Sequence, residues 1–317
     1  MRISVKVPAT SANLGTGFDV FGLALALYTE FIFDTDLSNN TPLLEVTGEG
    51  AALLAAEGCA LVFDAAKAYA EARNITLPPY RLLVNNLIPL GRGLGSSAAA
   101  IVGGLVGASM LTQGQAWIEE RDFVLNVATE IEGHPDNVAP ALLGGLLVAA
   151  KPSKLHSKMF HEAGPIVLAM PIPTDLDVVL FIPDFEMSTK AARAVLPAQV
   201  PFGDAIHNLG RAALLAAIFA TPTPRLELLA DAMDDRLHQP YRTQIFPQLP
   251  ALIEAAVNAG AYGAALSGAG SSVLAFVSKS RAAAVQNALV AKAAQLALPG
   301  QATQLAIAQD GTRTELF

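Results

Sequence analysis

Three glycines, Gly91, Gly93 and Gly95, alternate with Arg92 and Leu94 in the segment from Pro89 and Leu90 to Ser96 and Ser97, ahead of an Ala-rich run. Glycine lets backbone amides approach a ligand closely. Serine is a favoured helix N-cap, and the unpaired amides and dipole of a helix start make a seat for phosphate. The segment therefore predicts an anion site at the head of a helix. It is neither of the two common nucleotide signatures. Ser96 stands where GxxxxGK[ST] needs its lysine, and the same serine takes the last glycine position of GxGxxG. Without that lysine, a divalent cation must neutralise a bound polyphosphate, so the site needs a carboxylate and a hydroxyl close by.

Three further stretches concentrate polar groups. Residues 8–19, PATSANLGTGFD, place Thr10, Ser11, Asn13 and Asp19 around Gly15 and Gly17 at the end of a strand, as the lining of a pocket would. Residues 128–145 end a helix, turn at Gly133 and Pro135, and present Glu130, His134, Asp136 and Asn137 together. His134 is a proton shuttle or a helix-end hydrogen-bond partner. Near the other end, Gly268, Ala269, Gly270 and Ser271 form a second glycine-serine loop, able to close over a phosphate or simply to turn a hairpin.

The elements that must position these groups mix strands and helices. Apolar alternation predicts strands at 2–7, 21–35 and 80–87, and helical spacing predicts helices at 51–73, 98–111 and 119–130. A polar, Pro-interrupted break over 151–173 separates a second half. There the pattern gives a strand at 176–182, then helices at 190–195, 205–220, 226–237 and 247–259. Strands follow near 262–266 and 272–278, then a helix at 281–296 and a last strand at 303–308. This is an α+β order, divided into domains 1–165 and 166–317.

The chain has 317 residues, 52% of them hydrophobic, enough for two cores. A net charge of −8 disfavours nucleic acid and anionic bilayers as partners. The amino terminus lacks the apolar core of a secretory signal. The one cysteine, Cys59, reads as a small core residue and fits a reducing compartment, the cytoplasm.

Taken in order, PATSANLGTGFD, PLGRGLGSSAA, EGHPDNVAP and LSGAGSS resemble the motifs of GHMP kinases, and the first and third resemble the homoserine branch of that family. Two positions depart from its pattern, Thr16 and Ser271, where proline is usual. The resemblance implies an amino-terminal domain like domain 2 of ribosomal protein S5, followed by a ferredoxin-like domain. It also implies ATP and Mg2+ as cofactors, L-homoserine as the small-molecule substrate, and a homodimer. By the same resemblance, Pro89 to Ser97 and Gly268 to Ser271 bind the nucleotide, and Ser97 and Glu130 hold the magnesium. Asn13, Asp19, Asn137, Arg193 and Arg242 bind substrate, with Thr189 beside the reacting hydroxyl. Relatives of the mevalonate type pair an aspartate with a lysine. Asp136 matches the aspartate, but no lysine follows Lys6 in the first motif, so Asp136 is expected to orient more than to abstract a proton. A loose transition state permits that. The alternatives are another GHMP kinase acting on a mevalonate-, shikimate- or sugar-type alcohol, and a catalytically silent GHMP-like binding protein.

Overall fold

A computed structural model describes residues 1–37, 42–153 and 164–317. The first strand runs past its alternating start: β1 (Arg2–Ala12) pairs antiparallel with β2 (Phe21–Asp34) and shifts register between Pro8 and Ala9. Proline has no N–H to give a ladder, so an irregularity there is expected. The strand thus carries Thr10 and Ser11 of the first motif, leaving only the stretch from Asn13 onward as loop. Beyond β2 lie β4 (Arg81–Asn86) and β3 (Leu44–Gly48), the latter parallel to β4. Helices Ala51–Ala56 and Ala60–Arg73 make the crossover between them. The single helix expected over 51–73 is divided at Gly58 and Cys59, both at positive φ. Cys59 is buried in the core, as expected, and burial lifts its thiol pKa.

The Ala- and Gly-rich helix Ser96–Gln113 is buried along nearly its whole length against this sheet and helix Ala60–Arg73. Its composition explains the fit: a Cβ on Gly103 would stand 2.4 Å from the Phe31 ring, and one on Gly107 would stand 2.1 Å from that of Phe33. Two large rings from β2 thus occupy hollows in the helix, a close-packed arrangement that any added methyl would disrupt. Helix Arg121–Glu132 follows, and then helix Pro135–Leu143, where a turn alone was expected. Pro135 sits in the first turn of that helix, a position proline favours because its missing N–H would be unpaired anyway.

The second sheet contains β7 (Leu176–Pro183), β8 (Gly263–Leu266), β9 (Val273–Ser278) and β10 (Gly300–Leu305). Its order, β10-β7-β9-β8, is all antiparallel, and helices Leu249–Asn258 and Ala282–Gln295 pack on it. Counted from its own first strand, the order is fourth, first, third, second, with helices after the first and third: the split β-α-β plan expected for a ferredoxin-like unit. The helix expected over 226–237 reduces to single turns at Leu226–Leu228 and Leu229–Ala232.

Sheet membership corrects the expected division at 165/166. Strand β6 (Ile166–Met170) pairs with β5 (Leu146–Ala150), which pairs with β2, so 166–170 belong to the first sheet. The chain end does too: β11 (Arg313–Leu316) returns to pair with β1. Part of the expected break, 154–163, lies outside the described residues.

Both departures from proline bury a hydroxyl that holds its loop. Thr16 Oγ1 donates to the Ala232 carbonyl at 2.7 Å, and Ser271 Oγ donates to the Phe185 carbonyl at 2.6 Å. A side-chain hydrogen bond stands where ring rigidity was expected.

Candidate functional site

The four motifs converge on one cavity of about 610 Å³. Its wall includes the whole loop from Pro89 to Ser97, which is wedged between β1 and the loop 267–272. Thr10 N donates to Leu94 O at 3.0 Å, Ser272 N to Arg92 O at 3.1 Å, and Ser267 Oγ to Gly93 O at 2.7 Å. Gly91, Gly93 and Gly95 all have positive φ. Gly95, and not a serine, is the N-cap of helix Ser96–Gln113, and no side chain caps its first turn. This uncapped helix start, with Ser96 and Ser97 lining the cavity, is the arrangement that favours an anion.

Gly268, Ala269 and Gly270 line the same cavity. Ser271, expected among the nucleotide contacts, does not; its hydroxyl is turned away to Phe185 and it is fully buried.

The first motif lines the cavity too, through Asn13, Phe18 and Asp19. Asn13, Leu14 and Asp19 all have positive φ, a conformation tolerated best by Asn and Asp and one that collects at functional loops. Asn13 Nδ2 donates to Gly268 O at 2.9 Å, while Asn13 Oδ1 accepts from Asp19 N at 3.0 Å. Asp19 takes two hydrogen bonds from the Arg193 guanidinium, at 2.7 and 3.2 Å. Arg193 comes from the short helix Thr189–Ala194, so this ion pair joins the amino-terminal loop to the second half of the chain. Thr189, the first residue of that helix, also lines the cavity.

The third motif supplies a correction. Glu130 is exposed and lies off the cavity, whereas Glu132 lines it and accepts a hydrogen bond from Ser97 Oγ at 3.0 Å. Two residues along an α-helix is a rotation of about 200°, so Glu130 and Glu132 must face nearly opposite ways. Burial raises the Glu132 pKa, partly offset by the charge of His134 and by Ser97. His134 Nδ1 is hydrogen-bonded to Asp136 Oδ1. Burial pulls the His134 pKa down, but its bond to Asp136, together with Asp19 and Glu132, more than reverses this and leaves it raised. Asn137 Oδ1 accepts from Thr10 Oγ1 at 2.8 Å, tying the helix Pro135–Leu143 to β1.

Arg242 lines the cavity and is almost wholly buried. Its guanidinium donates to Gly268 O at 2.8 Å and Ala192 O at 3.2 Å, and to His238 Nδ1 at 3.1 Å. Burial and Arg193 bring its pKa down to about 10. Sequence reasoning missed His238, which lies outside the motifs. Fully buried, it places Nε2 2.7 Å from Gly15 O, so neutral imidazole donates there and accepts from Arg242.

Burial pushes the His238 pKa down to about 4. The unfolded chain would protonate this imidazole near pH 6.5, so the unfolded state binds the extra proton between those values. Stability from this group is complete above about pH 6.5 and shrinks as pH falls towards the lowered folded value. The guanidinium-chloride midpoint of the native protein should therefore drop more from pH 7 to pH 5 than that of His238→Gln.

The amino-terminal and carboxy-terminal GHMP kinase models match residues 60–145 and 212–295. A homoserine kinase of Synechococcus sp. is 43% identical, spanning 99% of this chain and 98% of its own. One from Carboxydothermus hydrogenoformans is 42% identical, over 88% and 86%. The crystal structure of homoserine kinase from Cytophaga hutchinsonii superimposes with a TM-score of 0.79 at 26% identity, covering 99% of this chain and 97% of that one. An L. major mevalonate kinase, solved with R-mevalonate, shares the fold at a TM-score of 0.68 and 15% identity, with 96% of each chain covered.

Proposed function

This chain belongs to the GHMP kinase family, and we propose that it transfers the γ-phosphoryl group of ATP to the hydroxyl of L-homoserine, giving O-phospho-L-homoserine for threonine biosynthesis. The observation that carries the reading is one cavity lined both by a glycine-rich helix start and by a carboxylate and guanidinium able to take the two charges of an amino acid. The relatives at 40–43% identity, all homoserine kinases, support it.

In this reading the loop from Pro89 to Ser97 and the segment Gly268 to Gly270 surround the phosphates. Asp19 takes the ammonium of the substrate and Arg193 its carboxylate, with Arg242 adding positive charge from behind. Asn13 and Arg242 both anchor Gly268 O, so they also fix the nucleotide loop against the substrate loop. Thr189 and Asn137 give polar contacts for the hydroxyl, and Asp136 with His134 orients it. Ser97 and Glu132 offer a hydroxyl and a carboxylate side by side, a hard oxygen set that fits magnesium, which would supply charge neutralisation on the phosphates. We place the enzyme in the cytoplasm as a homodimer.

A coupled ATP-consumption assay with magnesium tests the reading. L-Homoserine should exceed mevalonate, shikimate and galactose in kcat/KM by about 10³-fold or more, because the alternatives leave the paired charges unmatched. Preference for another alcohol, or turnover with none, would reject it.

A further inference from the structure

Phe18 is an aromatic ring in basic company. It sits in the loop between β1 and β2, half-buried, and lines the cavity, yet it belongs to neither hydrophobic core. The guanidinium carbon of Arg193 lies over the ring at 5.4 Å from its centroid, that of Arg242 at 5.6 Å, and the His238 imidazole is tilted 32° to it at 5.2 Å. The two arginines come from separate helices, Thr189–Ala194 and Gln239–Arg242. Arg193 has the Asp19 carboxylate. Among the described residues no carboxylate reaches ion-pair distance of Arg242, whose hydrogen bonds go to two carbonyls and an imidazole. Burial and, next, the charge of Arg193 lower its pKa, so the two cations stand near enough to repel. A buried guanidinium so placed needs negative potential, and the face of an aromatic ring supplies it.

We infer that Phe18 is a positioning residue for substrate selection, its ring face holding Arg193 and Arg242 together as a two-guanidinium clamp for one carboxylate. The inference rests on the substrate reading above and deepens it. Left to themselves the two cations would move apart, and Arg193, with 38% of its side chain exposed, has solvent to move into once it leaves Asp19. The ring attracts both without neutralising either, so their charge stays available to an incoming anion. An aliphatic side chain of similar size would fill the space and offer the cations nothing. Phe18 and Asp19 are consecutive, so one stretch of backbone presents both the carboxylate that takes Arg193 in the free chain and the ring that keeps it in place when that carboxylate turns to an ammonium. His238 fixes the same loop through Gly15 O, which sets the ring against the guanidinium that His238 also holds.

Steady-state kinetics of Phe18→Leu and Phe18→Tyr in the full chain test it, with L-homoserine as substrate and aminopropanol, the same amino alcohol without the carboxylate, as competitor. Phe18→Leu should raise KM for L-homoserine about 10-fold, with KM for ATP and the inhibition constant of aminopropanol within about two-fold, because neither of these needs the clamp. Phe18→Tyr keeps the ring face and should restore KM for L-homoserine to within about three-fold of native. A merely structural role would shift all three constants together. Should Phe18→Leu fail to fold, pentafluorophenylalanine at the same position keeps the shape while reversing the charge of the face, and should raise the same KM. A native KM for L-homoserine in the leucine or fluorinated protein would overturn the inference and leave the substrate reading standing, as would a parallel loss of ATP and aminopropanol binding. A native enzyme that does not turn over L-homoserine would reject that reading and this inference with it.

Discussion

Glu132→Ala should lower kcat by about 10²- to 10³-fold and raise the magnesium concentration needed for half-maximal rate, while Glu130→Ala stays within about two-fold of the native enzyme. The difference follows from orientation alone. Glu132 accepts a hydrogen bond from Ser97 at the mouth of the phosphate loop, and Glu130 points to solvent from the same helix. Removing Glu132 leaves the site without the carboxylate that a lysine-free loop needs for a divalent ion. Asp136→Asn should cost less, because a loose transition state demands positioning more than proton abstraction. Steady-state rates of the three variants, with a magnesium titration of each, decide the order. Equal loss from Glu130→Ala and Glu132→Ala would remove the metal assignment.

The second large effect belongs to Gly93→Ala. A Cβ at this residue would lie 2.1 Å from the Ser267 carbonyl oxygen and 2.8 Å from Gly270 N, both backbone atoms of the facing loop. Neither can swing aside as a side-chain end could. Gly93 also has φ of +70°, which costs an alanine roughly 1–2 kcal/mol before any clash. Either the loop moves or the two halves part, and in both cases the amides leave their common focus. ATP affinity should fall at least about 100-fold, with a lowered melting temperature, read by calorimetric titration and a thermal melt. Gly58→Ala makes a matched control: its φ is also positive, at +65°, but nothing stands within 4 Å of its Cβ. It should melt slightly lower and bind ATP normally.

Local chemistry made much of this legible from residues alone. The glycine loop could be read because each glycine serves a backbone position, and backbone demands show in spacing. The polar density of the first motif likewise pointed to a lining, and Asp19 and Arg193 do meet in the cavity. Helix phase was less readable. The resemblance carries the metal role to Glu130, but the helix runs on to Glu132, and two residues reverse the face. Gly133 and Pro135 are both breakers and so predict a turn over the start of helix Pro135–Leu143, yet Gly133 closes one helix and Pro135 opens the next. Least visible were contacts joining remote segments. Nothing near Arg313 announces that β11 pairs with β1, and nothing near His238 announces that its imidazole supports Gly15 and Arg242.

The bidentate pairing of Arg193 with Asp19 has a consequence for selectivity. Under the proposed substrate assignment, these two groups pair with each other as the charges of an amino acid would pair with them, each standing in for the charge the other would receive. A substrate bound as proposed would part them, so it would have to bring both a cation and an anion, correctly spaced, to leave neither stranded. An amino alcohol without a carboxylate, or a hydroxy acid without an amine, would satisfy one group and orphan the other. Discrimination against such half-matched molecules thus begins before any phosphate is in play.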